Sequence, residues 1–394
     1  MTSREVLISG AGVAGPALAF WLTRAGFRVT VVERAAEPRA GGYKVDVRGA
    51  ATTVLTRMGL HGEARAHDTG MRTTTYVSRS GRAIASLPAS LLMGRRGDDL
   101  EIMRGDLGRI LFDATSADAD YRFGDAIAGL TDRPGGVEVT FASGHTGRFD
   151  IVVGADGLHS ATRRHAFGDV APHHLGAYIA IWSAPNELGI DREEVNYAEP
   201  GRLTFAYALG ADRPARVGFV FASPELAYDR RDGAAQRRLV RDAMAGLGWR
   251  TADFAAALGS TPDFYFDSIS QVDMPSWSSG RVVLLGDAGF CPSPASGQGT
   301  SLALTGAFVL AGELAKTDGE HPAAFAGYER AMRPYVAKNL AFGRKMVGDM
   351  VPGSRLAIAF RNYGMRTLRF HPRKEKVIDK VLAPLHEAAN AIVI

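Results

Sequence analysis

At 394 residues, 46% apolar and 22% charged, the chain is an ordinary globular sequence, long enough for two domains or one large α/β domain with an insertion. The lone Cys291 excludes a disulfide framework and a cysteine-cluster metal site, and no run approaches the ~18 apolar residues of a bilayer span. Net charge is +4 with a pI near 9.2, but the basic residues (39 of the 46 are Arg) are scattered among acids, so no nucleic-acid partner is expected.

Met1-Thr2-Ser3-Arg4-Glu5 runs at once into the apolar strand Val6-Leu7-Ile8, leaving no room for a signal peptide, so a cytoplasmic location is expected. Ala17, Leu18, Trp21, Leu22 and Ala25 follow at helical spacing, then the β-branched strand Arg28 to Val32. Between strand and helix stands Gly10-Ala11-Gly12-Val13-Ala14-Gly15, a G-x-G-x-x-G in the context that gives the pattern meaning. Its glycines permit a tight turn, close approach of backbone to a pyrophosphate, and close helix–strand packing. The helix N-terminus offers free N–H groups to phosphate, and Pro16 just inside it sacrifices no intrahelical bond. Glu33, 21 residues after Gly12, can accept the ribose hydroxyls of an adenosine and would repel a 2′-phosphate, which favours FAD or NAD over NADP at this site.

Further on, a helix is expected from Ala51 to Met58 and a hairpin from Thr73–Val77 and Ala83–Leu87. Another helix should run from Asp106 to Ala114, followed by strands Ala126–Thr131, Val137–Phe141 and Arg148–Val153. Short strands with turn residues between them fill 177–221, and a helix spans Gln236–Ala245. Arg281–Leu285 reads as a buried strand and Gly299–Leu314 as a long apolar helix. The remainder is largely helical. Its basic residues Arg369, Arg373, Lys374, Lys376 and Lys380 suit a solvated bracing helix, with a membrane-surface helix as the lesser alternative.

Two more strand–turn–helix runs narrow the cofactor. One is Asp150-Ile151-Val152-Val153-Gly154-Ala155-Asp156-Gly157-Leu158-His159-Ser160 with Arg163. The other is Gly286-Asp287-Ala288-Gly289, with Pro292, Pro294 and Gly297-Gln298-Gly299. With the glycine fingerprint, these three ordered motifs resemble the class A flavoprotein monooxygenases of the para-hydroxybenzoate hydroxylase type, most nearly the branch with tetracycline-inactivating and polyketide hydroxylases. The resemblance runs from Val6 to about Gly343.

It implies an α/β fold: a Rossmann-like FAD-binding domain of the glutathione reductase type (1–72, 98–172 and 272–345), an inserted β-sheet-rich substrate domain (73–97 and 173–271), and a C-terminal helical segment (346–394). It places Glu33 on the FAD ribose, Arg39 and Asp46 next to the flavin, and Arg104 beside the pyrophosphate and ribityl chain. Asp156 falls in a motif tied to FAD and the nicotinamide nucleotide, Asp287 on the ribityl chain, and Gly297 and Gly299 at a helix N-terminus facing the flavin pyrimidine. Gly10, Gly12, Ala14, Gly15, Arg34, Pro294 and Thr300 complete the expected FAD-binding set.

The activity implied is hydroxylation of an aromatic or polyketide-like molecule by a C4a-hydroperoxyflavin formed from O2, with NADPH or NADH as a transient co-substrate. The loop Gly41-Gly42-Tyr43-Lys44-Val45-Asp46 is read as letting the ring swing. Phe290, Ser293 and Ser301 depart from the family's usual His, Pro and Asn. Trp182, Phe205, Tyr207, Phe219 and Phe290 are the expected substrate-lining residues, and no catalytic side chain is singled out. His159, His165, His173 and His174 read as surface or structural. No metal is expected, and the partners are the aromatic substrate and O2, for a monomer or homodimer without a membrane. Open alternatives are a halogenase, an isoprenoid reductase, a Baeyer–Villiger oxygenase, or a flavin-binding protein without turnover.

Overall fold

Four runs of buried β-branched residues pair in parallel at the centre of one sheet, and their register fixes where the connecting turns emerge. In this computed structural model, which describes residues 4–39, 41–368 and 370–394, the strands Val282–Leu284, Ile151–Gly154, Glu5–Ser9 and Arg28–Glu33 lie in that order. Asp120–Phe123 extends the sheet beyond Arg28–Glu33, and the short Ser278–Ser279 closes the other edge. Ser9 pairs with both Val32 and Gly154, and Gly154 with Leu284. The carboxyl ends of the strands are therefore level, so the turns that leave them open on one edge, where doubly wound sheets bind ligands. Helices Ala14–Arg24 and Gly299–Lys316 cover the sheet, with Leu18, Leu22, Leu304, Leu310 and Leu314 fully buried.

A second sheet has seven strands, in the order Tyr265–Gln271, His173–Ala184, Ala215–Ala222, Arg202–Ala208, Glu193–Glu199, Thr73–Val77 and Ala83–Pro88. The hairpin Thr73–Pro88 joins it by a parallel pairing with Glu193–Glu199, which brings a distant piece of chain to the sheet expected over 177–221. The strands Lys44–Val47 and Leu100–Met103 form a two-stranded ladder, and Ile127–Arg133, Gly136–Phe141 and Thr146–Phe149 a three-stranded one.

The single strand expected over Arg148–Val153 is two strands in different sheets, broken at Asp150. There the Asp150 carboxylate accepts the Glu5 N–H at 2.8 Å, while its own N–H donates to the Glu5 carbonyl at 2.9 Å. The C-terminal part is three helices, His321–Met350, Arg355–Leu368 and Lys374–Ala389, and the first runs unbroken across the expected boundary at 345. Met1–Ser3 of the N-terminal reading, and Arg369 of the basic helix, lie outside the described residues.

Candidate active site

The first turn off the parallel sheet is built as the three glycines predict. Gly10 has φ +110°, and a Cβ there would meet the Ala155 carbonyl at 2.5 Å. A Cβ on Gly15 would lie 1.9 Å from the Gly10 carbonyl oxygen, so helix and strand touch backbone to backbone. At Gly12 the nearest neighbour of such an atom is the Arg104 guanidinium, at 3.3 Å, which sets Arg104 over the loop.

Ala14, Arg104 and Gly299 each begin a helix that carries no side-chain cap, leaving backbone N–H groups and partial positive charge for an anion. The first and last of these converge: a Cβ on Gly286 would touch both Ala14 and Ala303. Thr300 lies half-buried in the first turn of the third.

Glu33 ends its strand with the carboxylate held by the N–H groups of Ala11 (3.0 Å) and Ala35 (2.9 Å) and by Arg39 (3.0 Å). Burial alone would raise its pKa, but those donors prevail and hold it below the ordinary value. A carboxylate has about four acceptor positions, so room remains for a ribose hydroxyl. Arg39 thus reaches the site through Glu33, and Arg34 is exposed beside it.

The other two turns complete the floor. Asp156 shapes its own turn, accepting Ser160 Oγ at 2.5 Å and the Thr162 N–H and hydroxyl at 3.0 and 3.1 Å, which engages most of its acceptor positions. A Cβ on Gly154 would meet Leu284 and Thr162 at 2.8 Å, which explains that glycine.

Asp287 is reachable by solvent yet surrounded by protein. Burial raises its pKa against the opposing pull of the Cys291 hydrogen bond and Arg104. Arg163, 1% exposed, donates to the carbonyls of Leu158 (2.7 Å), Val170 (3.1 Å) and Ala288 (2.8 Å), tying the second motif to the third. Pro294 opens a short 3-10 turn, Gly297 follows at φ +63°, and Asp46 approaches within 4.0 Å of where a Gly297 Cβ would stand.

The three departures have structural consequences. Ser293 adopts φ +82°, which a proline ring forbids, and its hydroxyl caps Ala295 N–H at 3.1 Å. Ser301 Oγ accepts the Arg48 N–H at 3.2 Å, stitching the long helix to the end of the strand Lys44–Val47, which carries Asp46. Phe290 is fully buried 4.6 Å from Trp277, ring centre to ring centre, and lines no ligand space.

Strand alternation sorts the remaining aromatics. Tyr207 pairs with Glu194 and Arg216, and Phe205 with Asn196 and Gly218, so these side chains share one face. That face meets the flavin loop: Tyr207 Oη accepts the Lys44 N–H at 3.1 Å, and Phe205 packs in the cluster that includes Tyr43 and Ala295. Trp182 pairs with Val217, and Phe219 with Thr204 and Ala180, placing both on the opposite face. They pack there against the helices Gly233–Met244 and Thr251–Ala257, with Trp182 Nε1 donating to the Phe254 carbonyl at 3.1 Å. The expectation that Trp182, Phe219 and Phe290 line the substrate space is therefore corrected, since all three are packed in core; Phe205 and Tyr207 lie on the face that meets Tyr43 and Lys44.

Residues to which the sequence assigned no part in lining the substrate space fill the same face. Tyr43 and Tyr265 stand 5.9 Å apart, ring centre to ring centre. Lys44 lies between Glu194 (2.8 Å) and Glu101 (3.4 Å) and over the Tyr207 ring. Arg95 bridges Glu101 (2.8 Å) and Asp46 (3.4 Å), and Arg48 pairs with Asp46 at 3.0 Å.

Burial opposes the Lys44 charge, but Glu194 and Glu101 win and raise its pKa. Burial also pushes the Tyr207 phenol up to about 12, and Tyr43 and Tyr265 upward, so all three stay protonated at neutral pH and can donate hydrogen bonds. His159 is engaged: its Nε2 meets the Asp267 carboxylate at 2.9 Å and its Nδ1 faces Arg230. The signal for this network was a charge inside otherwise apolar strands, as in Leu-Glu-Ile-Met at 100–103.

Comparison with known proteins gives a consistent picture. The family model described as FAD binding domain matches residues 3–182. A flavin-dependent monooxygenase from an unknown prokaryotic organism is 41% identical, covering 86% of this chain and 89% of the relative. Another, from Legionella longbeachae, is 38% identical over 86% of this chain and 87% of its own length. Among solved structures, the tetracycline destructase Tet(55) superposes with a TM-score of 0.86 at 37% identity, covering 99% of this chain and 98% of that one.

Proposed function

Since the chain belongs to the FAD-dependent monooxygenases, we propose that its substrate is a polyoxygenated aromatic of the polyketide type, such as a tetracycline, with NAD(P)H supplying the electrons. The cradle fits the cofactor. The Gly10–Gly15 loop and the helix beginning at Ala14 would hold the pyrophosphate, Glu33 the adenosine ribose, Arg104 and Asp287 the chain between the rings, and the helix from Gly299 the flavin pyrimidine. Bound FAD supplies a two-electron carrier that activates O2. In this reading the chain divides as the sequence suggests, a FAD-binding part and a β-rich substrate part, with Tyr43 and Lys44 reaching from the first to the second.

The observation that carries the substrate assignment is the mixed character of the site face. Phe205, Tyr207, Tyr43 and Tyr265 offer apolar rings, while Lys44, Glu194, Arg95 and Glu101 form a polar edge beside them. Flat rings fringed with hydroxyl and carbonyl groups suit such a surface. An electron-rich ring needs no protein base, and the protonated tyrosines would orient its oxygens. The likeness to a tetracycline destructase over nearly the full chain supports this class.

The test is NADH and NADPH oxidation by the FAD-loaded protein with tetracycline and simpler phenolic polyketides. Substrate-dependent acceleration with an oxygenated product is expected. Equal rates with and without every such compound would remove the substrate assignment.

A further inference from the structure

The helix Arg355–Leu368 rests on the protein without burying a single residue. Its inner side lies along the strands Ala83–Pro88 and Glu193–Glu199, and Arg361 sits 5.1 Å over the ring of Tyr76. Leu356, Phe360 and Tyr363 recur at i, i+4 and i+7 on its outer side, 81%, 79% and 68% exposed. On the following helix Val377 and Val381 are 41% and 71% exposed. Folding gains nothing from presenting such side chains to water, so an apolar row of this kind along one helix marks an interaction surface.

Charge identifies the partner. Residues 355–381 carry eight Lys and Arg against two acids, Glu375 and Asp379, so this short segment is +6 while the rest of the chain is −2. Among the described residues Arg355, Arg366, Arg373 and Lys376 are exposed around the stripe, and Asp379 is already paired with Arg96 at 2.7 Å. A second copy docking this face on itself across a two-fold axis would oppose basic residues to basic residues. An anionic bilayer surface suits both halves of the pattern, with the aromatic and aliphatic tips entering the headgroup boundary and the cations facing lipid phosphates.

We propose that the outer face of the helices Arg355–Leu368 and Lys374–Ala389 is a reversible docking surface for anionic lipid membranes. No helix among the described residues is long and apolar enough to cross one, so the contact is with the surface only. Docking would hold the edge of the seven-stranded sheet bearing Tyr76 against the bilayer.

The test is flotation of the full-length, FAD-loaded protein with vesicles of phosphatidylcholine alone and of phosphatidylcholine mixed with phosphatidylglycerol, at low and high salt. Binding should appear with the mixed vesicles, stay weak with phosphatidylcholine, and fall at high salt. L356S/F360S/Y363S should cut partition about tenfold or more, and R366Q/R373Q/K374Q/K376Q comparably. Unchanged flavin content and circular dichroism would show that both variants remain folded. Failure to float with anionic vesicles would overturn the proposal, as would full binding by L356S/F360S/Y363S. A concentration-dependent dimer that this apolar variant abolishes would assign the face to self-association instead. The readout is partition, so the result is independent of whether the substrate assignment above holds.

Discussion

The two faces of the seven-stranded sheet are made from the same strands and both carry aromatic rings, yet they do different work. On one, Trp182, Phe219, Phe221 and Tyr178 close a core under two helices. On the other, Phe205 and Tyr207 stand among charged residues against the flavin loop. Parity along the strand, with a period of two residues, is the whole difference. It teaches that an aromatic in a sheet-rich insertion informs on function only once its face is known, since a shift of one residue exchanges core for site.

Substitutions can break this contrast directly. Trp182→Ala should cost about 3–5 kcal/mol by opening a cavity, seen as a large drop in melting temperature, while turnover per bound flavin in the folded fraction stays near wild type. A changed KM with unchanged stability would put Trp182 in the site.

On the opposite face, Lys44→Met leaves Glu194 buried without its cation and Glu101 with Arg95 alone, and should cost about 3 kcal/mol. The double variant with E194Q should recover part of that loss in the same melting experiment. Tyr207→Phe removes one buried hydroxyl that accepts the Lys44 N–H, worth about 1 kcal/mol. Its effect should fall on KM for the organic substrate, read by steady-state kinetics, more than on melting.

The smallest expected effect concerns acid. Burial opposes the ionised Glu194, but Lys44 outweighs it and holds the pKa below 4.5; Glu33 is lowered by its backbone donors and Arg39. A depressed carboxylate stabilises the fold fully above its unfolded value and loses that contribution as pH falls through the folded one. Melting temperature should therefore hold down to about pH 5 and fall below it, less steeply in Glu194→Gln.

Much of the cofactor side was legible because backbone geometry there is local. Gly15 is demanded by contact with Gly10 inside one strand–turn–helix unit, and Glu33 stands at the end of the next strand; Gly10 and Gly12 also answer to Ala155 and Arg104, which lie far along the chain. The level carboxyl ends that bring Gly154 and Asp287 alongside depend on strand order, which motif order only implied. The substrate side was illegible for a physical reason: the register between Arg202–Ala208 and Ala215–Ala222 decides the face of Phe219, and nothing local encodes it. Asp156 likewise sits at the turn of its motif, but the sequence does not show that Ser160 and Thr162 hold its carboxylate.

The most direct measurement of the central claim is the fate of oxygen during turnover. With FAD-loaded protein, NAD(P)H, 18O2 and a phenolic polyketide, one 18O atom should enter the organic product for each productive reduction. Organic product without label, or label only in hydrogen peroxide across all candidate substrates, would contradict it.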